Sequence, residues 1–357
     1  MGTVSRLPEK LRMIAPIIVS EAEAFDGMHT LIRQFSPAND GFTPGRGTSS
    51  LFPAIAGSGL LGITIPSEQG GADVSNIVLG EIMLSAASAN RMVAAALASH
   101  FHAVELLRGS IATGPSNYFY GRALAGDLFL MIGEVDDVPH IDGLRLIPEP
   151  GKPGLRLNGA VLSSIDPIHA DWIVIRTSDD AGEHALFIPR MTAGLRLTPE
   201  QIGFSNVHVD ADCFVPLADH AISTAAPLDN LLQSAQKLGW AERELNDKVA
   251  IHARPPMRRR TFGAEYLSAL GLTVSRIESG KAALERAGRK IDTAQVNTDI
   301  DAVQKAAFSS AIALSIAAEA FDLACEIGTD HLPGAWDRLD PYGHAPIGAR
   351  LLENSIH

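Results

Sequence analysis

The sequence predicts a mainly α-helical protein with a β-domain in its middle. Apolar residues recur at helical spacing in the first third and again in the last third. Between them the chain changes to short runs of β-formers separated by turn signals. Aromatic residues make up only 6% while alanine is abundant, a balance that favours closely packed helices over a β-sandwich.

Taken in order, Leu11 to Phe35 carries a helical pattern that ends in the Pro- and Gly-rich stretch Ser36 to Thr48. A second helix, Ser50 to Ser58, leads into an extended segment, Ile63-Thr64-Ile65-Pro66. After the loop Ser67 to Ser75 comes a long helical pattern, Ile77 to Leu107, dense in alanine and suited to close helix contacts. Leu128 to Val135, Leu144 to Ile147, Leu155 to Leu157, Trp172 to Arg176 and Ala185 to Ile188 read as strands of a small antiparallel sheet. Asp142-Gly143 and Gly151-Lys152-Pro153-Gly154 supply turns between them. From Leu228 the helical period returns in three long segments, Leu228 to His252, Phe262 to Ile291 and Asp301 to Ile327, which predict an antiparallel bundle. The expected domains are 1–125 (helical), 126–225 (β) and 226–357 (helical bundle).

The 357 residues are 46% hydrophobic and 20% charged, so there is ample material for a large core and too little charge for a disordered chain. Asp plus Glu exceeds Lys plus Arg by 41 to 29, a net charge of −12. A surface this acidic repels phosphate backbones, so no nucleic-acid partner is expected. Cys213 and Cys325 are the only cysteines, which excludes a disulfide scaffold and a thiolate zinc site. They read as two small buried hydrophobes in a reducing compartment. No run reaches the ~18 uninterrupted apolar residues of a membrane span. No membrane partner and a cytoplasmic location are therefore expected.

Gly57-Ser58-Gly59-Leu60-Leu61-Gly62 matches G-x-G-x-x-G literally. A dinucleotide turn needs a strand before it and a helix after it, so that pyrophosphate sits on a helix N-terminus. Here the order is reversed, and the glycines end a helix. His100 and His102, at i and i+2, point to different helix faces and make poor joint metal ligands, and no metal site is expected. Asp229 reads as a helix N-terminal charge. Asp136, Asp137 and His140 read as a solvated turn. No G-x-S-x-G elbow marks a hydrolase.

The wider segment Leu60-Leu61-Gly62-Ile63-Thr64-Ile65-Pro66-Ser67-Glu68-Gln69-Gly70-Gly71-Ala72 resembles the "GLLG-hydrophobic-x-x-P-x-x-x-GG" segment of the acyl-CoA dehydrogenase superfamily. Leu157-Asn158-Gly159 followed by Ala170-Asp171, and Arg259-Arg260-Thr261-Phe262-Gly263, add to the likeness. The resemblance implies that superfamily's fold: N-terminal helices, a middle β-domain and a C-terminal four-helix bundle. Ser99-His100-Phe101-His102 through Arg108, and Asp337-Arg338-Leu339-Asp340-Pro341, look more like the reduced-flavin monooxygenases related to dibenzothiophene monooxygenase and the sulfur-acquisition oxidoreductases. That branch uses FMN in its reduced form with oxygen, whereas the acyl-CoA branch uses bound FAD and a glutamate base.

The resemblance assigns candidate cofactor-binding positions. Gly133 and Glu134 fall on the family's "A-L-T-E" turn against the flavin, with Gly133 in place of the hydroxyl residue. Ser163 and Ser164 fall within its "W-F-I-T-N-G" segment, where Leu162 replaces the stacking aromatic and Ile165 the threonine. Arg259 and Arg260 resemble the arginines that hold cofactor phosphates, a task suited to a planar, bidentate guanidinium. Candidate catalytic residues are His100, which matches a histidine beside the family's substrate cavity, and His344, because Leu339 stands where the monooxygenases carry a histidine.

The implied function is a flavin-dependent oxidoreductase, FMN or FAD, acting as a monooxygenase on a small organic molecule. Two alternatives accompany it. One is a catalytically degenerate member serving as a structural or regulatory partner or reusing the cleft without flavin, and the other is an FAD-dependent acyl-CoA dehydrogenase. The long alanine-rich helices are expected to bury a face in a homodimer or homotetramer, or in a hetero-oligomer with an active paralogue.

Overall fold

A computed structural model describes residues 15–35, 48–110, 113–134, 144–148, 154–163, 165–179, 182–217, 223–253 and 264–327. The chain forms two compact units. One takes the residues up to Val74 and from Ser99 to Ala218; the other takes Ser75–Ala98 and the residues from Asp219 onward.

The first unit opens with α1 (Glu21–Phe35) and α2 (Thr48–Gly57). Helix α1 places Ala24, Met28 and Leu31 on one buried stripe, the i, i+4, i+7 spacing of an amphipathic helix. Ile63 does not continue as the extended segment expected from the sequence. Leu60–Gly62 forms a 3₁₀ turn, and Ile63 follows it in right-handed helical conformation. The loop beyond explains the paired glycines. Gly70 adopts φ +88°, and a Cβ on Gly71 would lie 2.1 Å from the Ile65 carbonyl oxygen, so only glycine lets the loop fold back. Helix α5 (Thr113–Leu124), absent from the sequence reading, then leads to the strands.

Among the described residues eight strands make two four-stranded sheets. The first has the order β1 (Phe129–Glu134), β4 (Trp172–Asp179), β5 (Gly182–Pro189), β8 (Phe214–Pro216). The second has the order β2 (Arg145–Pro148), β3 (Leu155–Leu162), β7 (Gln201–Val209), β6 (Leu195–Leu197). The purely antiparallel sheet expected from the short strands is corrected at one pair. β1 and β4 run parallel, with Phe129 opposite Trp172. The reason is topological: β2 and β3 leave for the other sheet, so the chain re-enters beside β1 in the same direction. Between α5 and this sheet lies an aromatic cluster in which Phe119 stacks on Phe187 at 4.1 Å and meets Trp172 edge-on at 5.3 Å.

The second unit holds α3 (Asn76–Ala89), the first turns of α4 (Arg91–Arg108), α6 (Ala225–Ala253), α7 (Ala264–Val296) and α8 (Ile300–Glu326). The single helical pattern expected from Ile77 to Leu107 is two helices. Asn90 leaves helical geometry at φ −154°, and its side chain accepts hydrogen bonds from Met92 N–H (2.9 Å) and Val93 N–H (3.2 Å), capping α4. Helix α3 packs with α6 and α7, and α8 packs with the same two helices. A Cβ on Gly239 of α6 would come within 2.5 Å of the Leu84 carbonyl oxygen, so this glycine sets the close α3–α6 approach. Asn76, at the start of α3, donates from its backbone and side chain to Asp292 and from its side chain to Gln295, locking α3 to the end of α7. Cys213 is half-buried and Cys325 exposed, so the expectation of two buried thiols is corrected; α8 ends with Cys325 on its outer side. Among the described residues α8 is the one helix long and apolar enough to cross a membrane, and its inner side packs on α6 and α7.

Candidate functional site

The site begins with an elementary problem. Among the described residues β1 is an edge strand, paired only with β4, and its alternate N–H groups at Phe129 and Met131 face away from the ladder. Buried N–H groups need acceptors. Consecutive residues of α4 supply both. Phe129 N–H donates to His100 Nδ1 (3.1 Å), and Met131 N–H donates to Ser99 Oγ (2.7 Å).

His100 is completely buried, packed at 5.0 Å from the Phe129 ring. Its second nitrogen, Nε2, lies 2.9 Å from the Leu61 carbonyl oxygen. With Nδ1 accepting from an amide, the proton belongs on Nε2, which donates to Leu61; the hydrogen-bond network assigns this tautomer. Burial pushes the His100 pKa down to about 4, against smaller raising effects of the Leu61 hydrogen bond and the Asp127 charge. The ring is therefore neutral at pH 7. Both nitrogens are spent on backbone groups, so His100 ties three segments together and offers no atom to a substrate. This corrects the expectation that it is catalytic.

The start of the same strand is fixed by a second buried group. Asp127 accepts from Arg122 Nε (2.6 Å) and from Trp172 Nε1 (2.9 Å), while Asp171 accepts the Leu128 N–H (3.0 Å). At the other end, the register slips between Ile132 and Glu134, so Gly133 sits at a bulge and Glu134 pairs with Arg176 in the ladder. A bulge at a strand end re-aims the backbone.

Ser163 ends β3. Its N–H donates to the Glu200 carbonyl (2.9 Å), and its hydroxyl donates to the Ile165 carbonyl (2.6 Å), closing a tight local turn. The hydroxyl is committed to that turn. Leu162 beside it is 42% exposed, an apolar side chain on the surface, while Ile165 is buried. Ser164, Arg259, Arg260 and His344 lie outside the described residues, as do Asp136, Asp137, His140 and Leu339. The structure thus brings His100 to the first residue of β1 and places Gly133 and Glu134 at the far end of that strand. Ser163 stands apart on the second sheet.

Two constellations escape a reading of the sequence. Ser99 enters the sequence only as a neighbour of His100, yet it shares the strand-anchoring role; a hydroxyl beside a helix histidine is the signal. Arg108, at the end of α4, donates to the Thr64 carbonyl (3.0 Å), Asp73 (2.8 Å) and the buried Glu105 (3.2 Å). This network pins the glycine loop, whose Asp73 has φ +46°. Among the described residues no group of three or more His, Cys, Asp or Glu side chains is placed to hold a metal ion.

A flavin requires donors at its pyrimidine edge, a flat apolar wall and a phosphate clamp. Among the described residues Leu162 offers an apolar surface but no flat ring to stack on. Ser163 and His100 are engaged elsewhere, so these residues alone do not build a flavin seat.

No family model matches the chain, and no curated protein matches it. Solved structures do. FMN-bound TdsC from Paenibacillus sp. A11-2, a dibenzothiophene monooxygenase, matches with TM-score 0.67 at 18% identity over 84% of each chain. The fold is acyl-CoA dehydrogenase-like. Nitrososynthase from Micromonospora carbonacea var. africana matches this acyl-CoA dehydrogenase-like chain over 96% of its length and 98% of its own, with TM-score 0.68 and 17% identity. The methanesulfinate monooxygenase MsuC from Pseudomonas fluorescens matches over 88% and 86%, with TM-score 0.66 and 14% identity. At these identities the shared property is the fold.

Proposed function

We propose that this protein is a flavin-dependent oxidoreductase of the reduced-flavin monooxygenase kind, acting on a small organic molecule. The observation that supports this most is the match to nitrososynthase, with 96% of this chain and 98% of that chain covered. FMN is the cofactor favoured over FAD, since TdsC of the same fold was crystallised with FMN. When bound, the flavin supplies the redox chemistry. The chain's own part is to fix β1 through Ser99, His100 and Asp127, so that the bulged end at Gly133 and Glu134 has one position. Clamping the phosphate falls to Arg259 and Arg260, by their resemblance to the family's arginines.

A second reading has a specific observation in its favour. Leu162 is exposed where the family carries a stacking aromatic, and Ser163 is closed on its own turn. A member that has lost its flavin and serves a paralogue would look like this. Titration separates the two. The purified protein is mixed with FMN, FAD and, anaerobically, reduced FMN, and flavin fluorescence and absorbance are followed. Saturable binding of FMN or its reduced form, weakened by Arg259→Ala with Arg260→Ala, supports the oxidoreductase. Binding of none of the three leaves the degenerate reading.

A further inference from the structure

The second sheet differs from the first in its charge. In a chain with 41 carboxylates against 29 Lys and Arg, its four strands hold Arg145, Arg156, Arg196 and His208 and no Asp or Glu. The first sheet carries Glu134, Asp179 and Glu183 beside Arg176. Register puts the cations of the second sheet on one face. Arg156 lies opposite Ile147 on one side and His208 on the other, and Arg145 lies opposite Asn158. Leu157, Val207 and Val209 fill the inner face, and Ile147, 51% exposed, marks the outer one. On β7 Ile202 and Phe204 point inward, so Gly203 between them, and Arg196 opposite it, belong to the outer face as well.

Arg156 is oriented by a backbone oxygen. Its guanidinium donates to the Asn206 carbonyl (3.1 Å), and Asn206, at φ +53°, donates its own N–H to Asn158 Oδ1 (2.7 Å). His208 lies 3.0 Å from Asp210, which stands just beyond the strand. Among the described residues Arg145 and Arg196, both exposed, have no carboxylate partner. Adjacent strands are ~4.8 Å apart, so the cations spread over about 14 Å from β2 to β6. One small anion does not reach across that width, and a sheet face has no concave wall to enclose a small molecule. An extended polyanion does reach. A peptide strand presents alternate side chains every ~6.8 Å, so acidic residues at alternate positions meet several of these cations at once. We propose that the outer face of the second sheet docks an acidic, extended segment of a partner protein, with Arg145, Arg156 and Arg196 as charge contacts and Ile147 as the apolar contact. Such docking needs no cofactor. Nucleic acid fits less well, since a net charge of −12 repels a phosphate backbone. A bilayer fits less well too: among the described residues the face exposes only Ile147 and, at its far end, Leu162 as large apolar side chains.

Fluorescence anisotropy of a fluorescein-labelled peptide of alternating Glu and Ser, titrated with the full chain, tests this. At about 0.05 M NaCl the binding is saturable, and raising the salt to about 0.3 M weakens it. An unlabelled peptide of alternating Gln and Ser does not compete. Arg145→Glu with Arg196→Glu lowers the affinity about 10-fold or more. Arg145→Gln with Arg196→Gln, which removes the charges without reversing them, lowers it less. Both side chains are exposed, so thermal unfolding of either variant stays unchanged. Arg286→Glu with Lys290→Glu on α7 makes the same change in net charge at another surface and leaves the affinity within about 2-fold. Absence of saturable binding at low salt, or an equal loss in the α7 variant, overturns the proposal. Tighter binding of a thymidine oligonucleotide or of phosphatidylglycerol vesicles than of the acidic peptide, lost in Arg145→Glu with Arg196→Glu, also overturns it.

Discussion

Acidification reads out the His100 tie. The imidazole is neutral in the folded chain with its pKa pushed down to about 4, against an ordinary value of 6.5. Protonation places a second hydrogen on Nδ1, where it collides with the Phe129 N–H, and puts a charge in a site with no exposure to water. The unfolded chain takes up that proton near pH 6.5 and the folded chain only near pH 4. The stabilisation is therefore fully present above pH 6.5 and is lost as pH falls from 6.5 to about 4. A difference of about 2.5 in pKa corresponds to about 3 kcal/mol, a large share of the ~5–15 kcal/mol of an ordinary domain. Urea unfolding of wild type and His100→Gln between pH 7 and pH 4 isolates the effect, since the other titrating groups are common to both proteins. Glutamine keeps an acceptor for Phe129 and a donor for Leu61 without titrating. The wild-type advantage shrinks by about 3 kcal/mol across this window. A difference curve flat to within ~0.5 kcal/mol refutes the assignment of a buried, neutral, doubly bonded ring.

Gly239→Ala forces a Cβ to within 2.5 Å of the Leu84 carbonyl oxygen and lowers the unfolding free energy by about 2 kcal/mol or more, measured by urea denaturation. Asn90→Ala removes the acceptor of Met92 and Val93 at the start of α4 and costs about 1 kcal/mol, with the circular dichroism of the folded state unchanged. Asp127→Ala leaves the buried Trp172 N–H without its acceptor and costs about 2 kcal/mol, read as a lowered thermal midpoint.

Much of the candidate site was legible as sequence, though under another role. The Gly70-Gly71 pair was visible as a motif, and the structure supplies its reason in the Ile65 carbonyl against which the loop closes. His100 stood out, but as a chemical group. A sequence does not reveal whether an imidazole's nitrogens are free, because their partners, Leu61 and Phe129, are 39 and 29 residues away. Ser99 went unremarked for the same reason: its acceptor role exists only beside an edge strand that folding brings to it. Leu162 read as a lost aromatic in the sequence, and in the structure it is an exposed aliphatic side chain.

The helices and their order followed from local pattern. α6, α7 and α8 were each bounded to within a few residues, since apolar periodicity and caps act over one or two turns. The change to β-structure after Leu128 was equally local. Tertiary structure alone decided that β1 and β4 run parallel, that α3 packs with α6 and α7, and that Asn90 breaks one helical pattern into two. Pairing and packing choose among partners far apart in the chain, and the free energies that choose are those of burial, backbone fit and satisfied hydrogen bonds. A single sequence displays periodicity directly, and it shows these long-range terms only once the chain is folded.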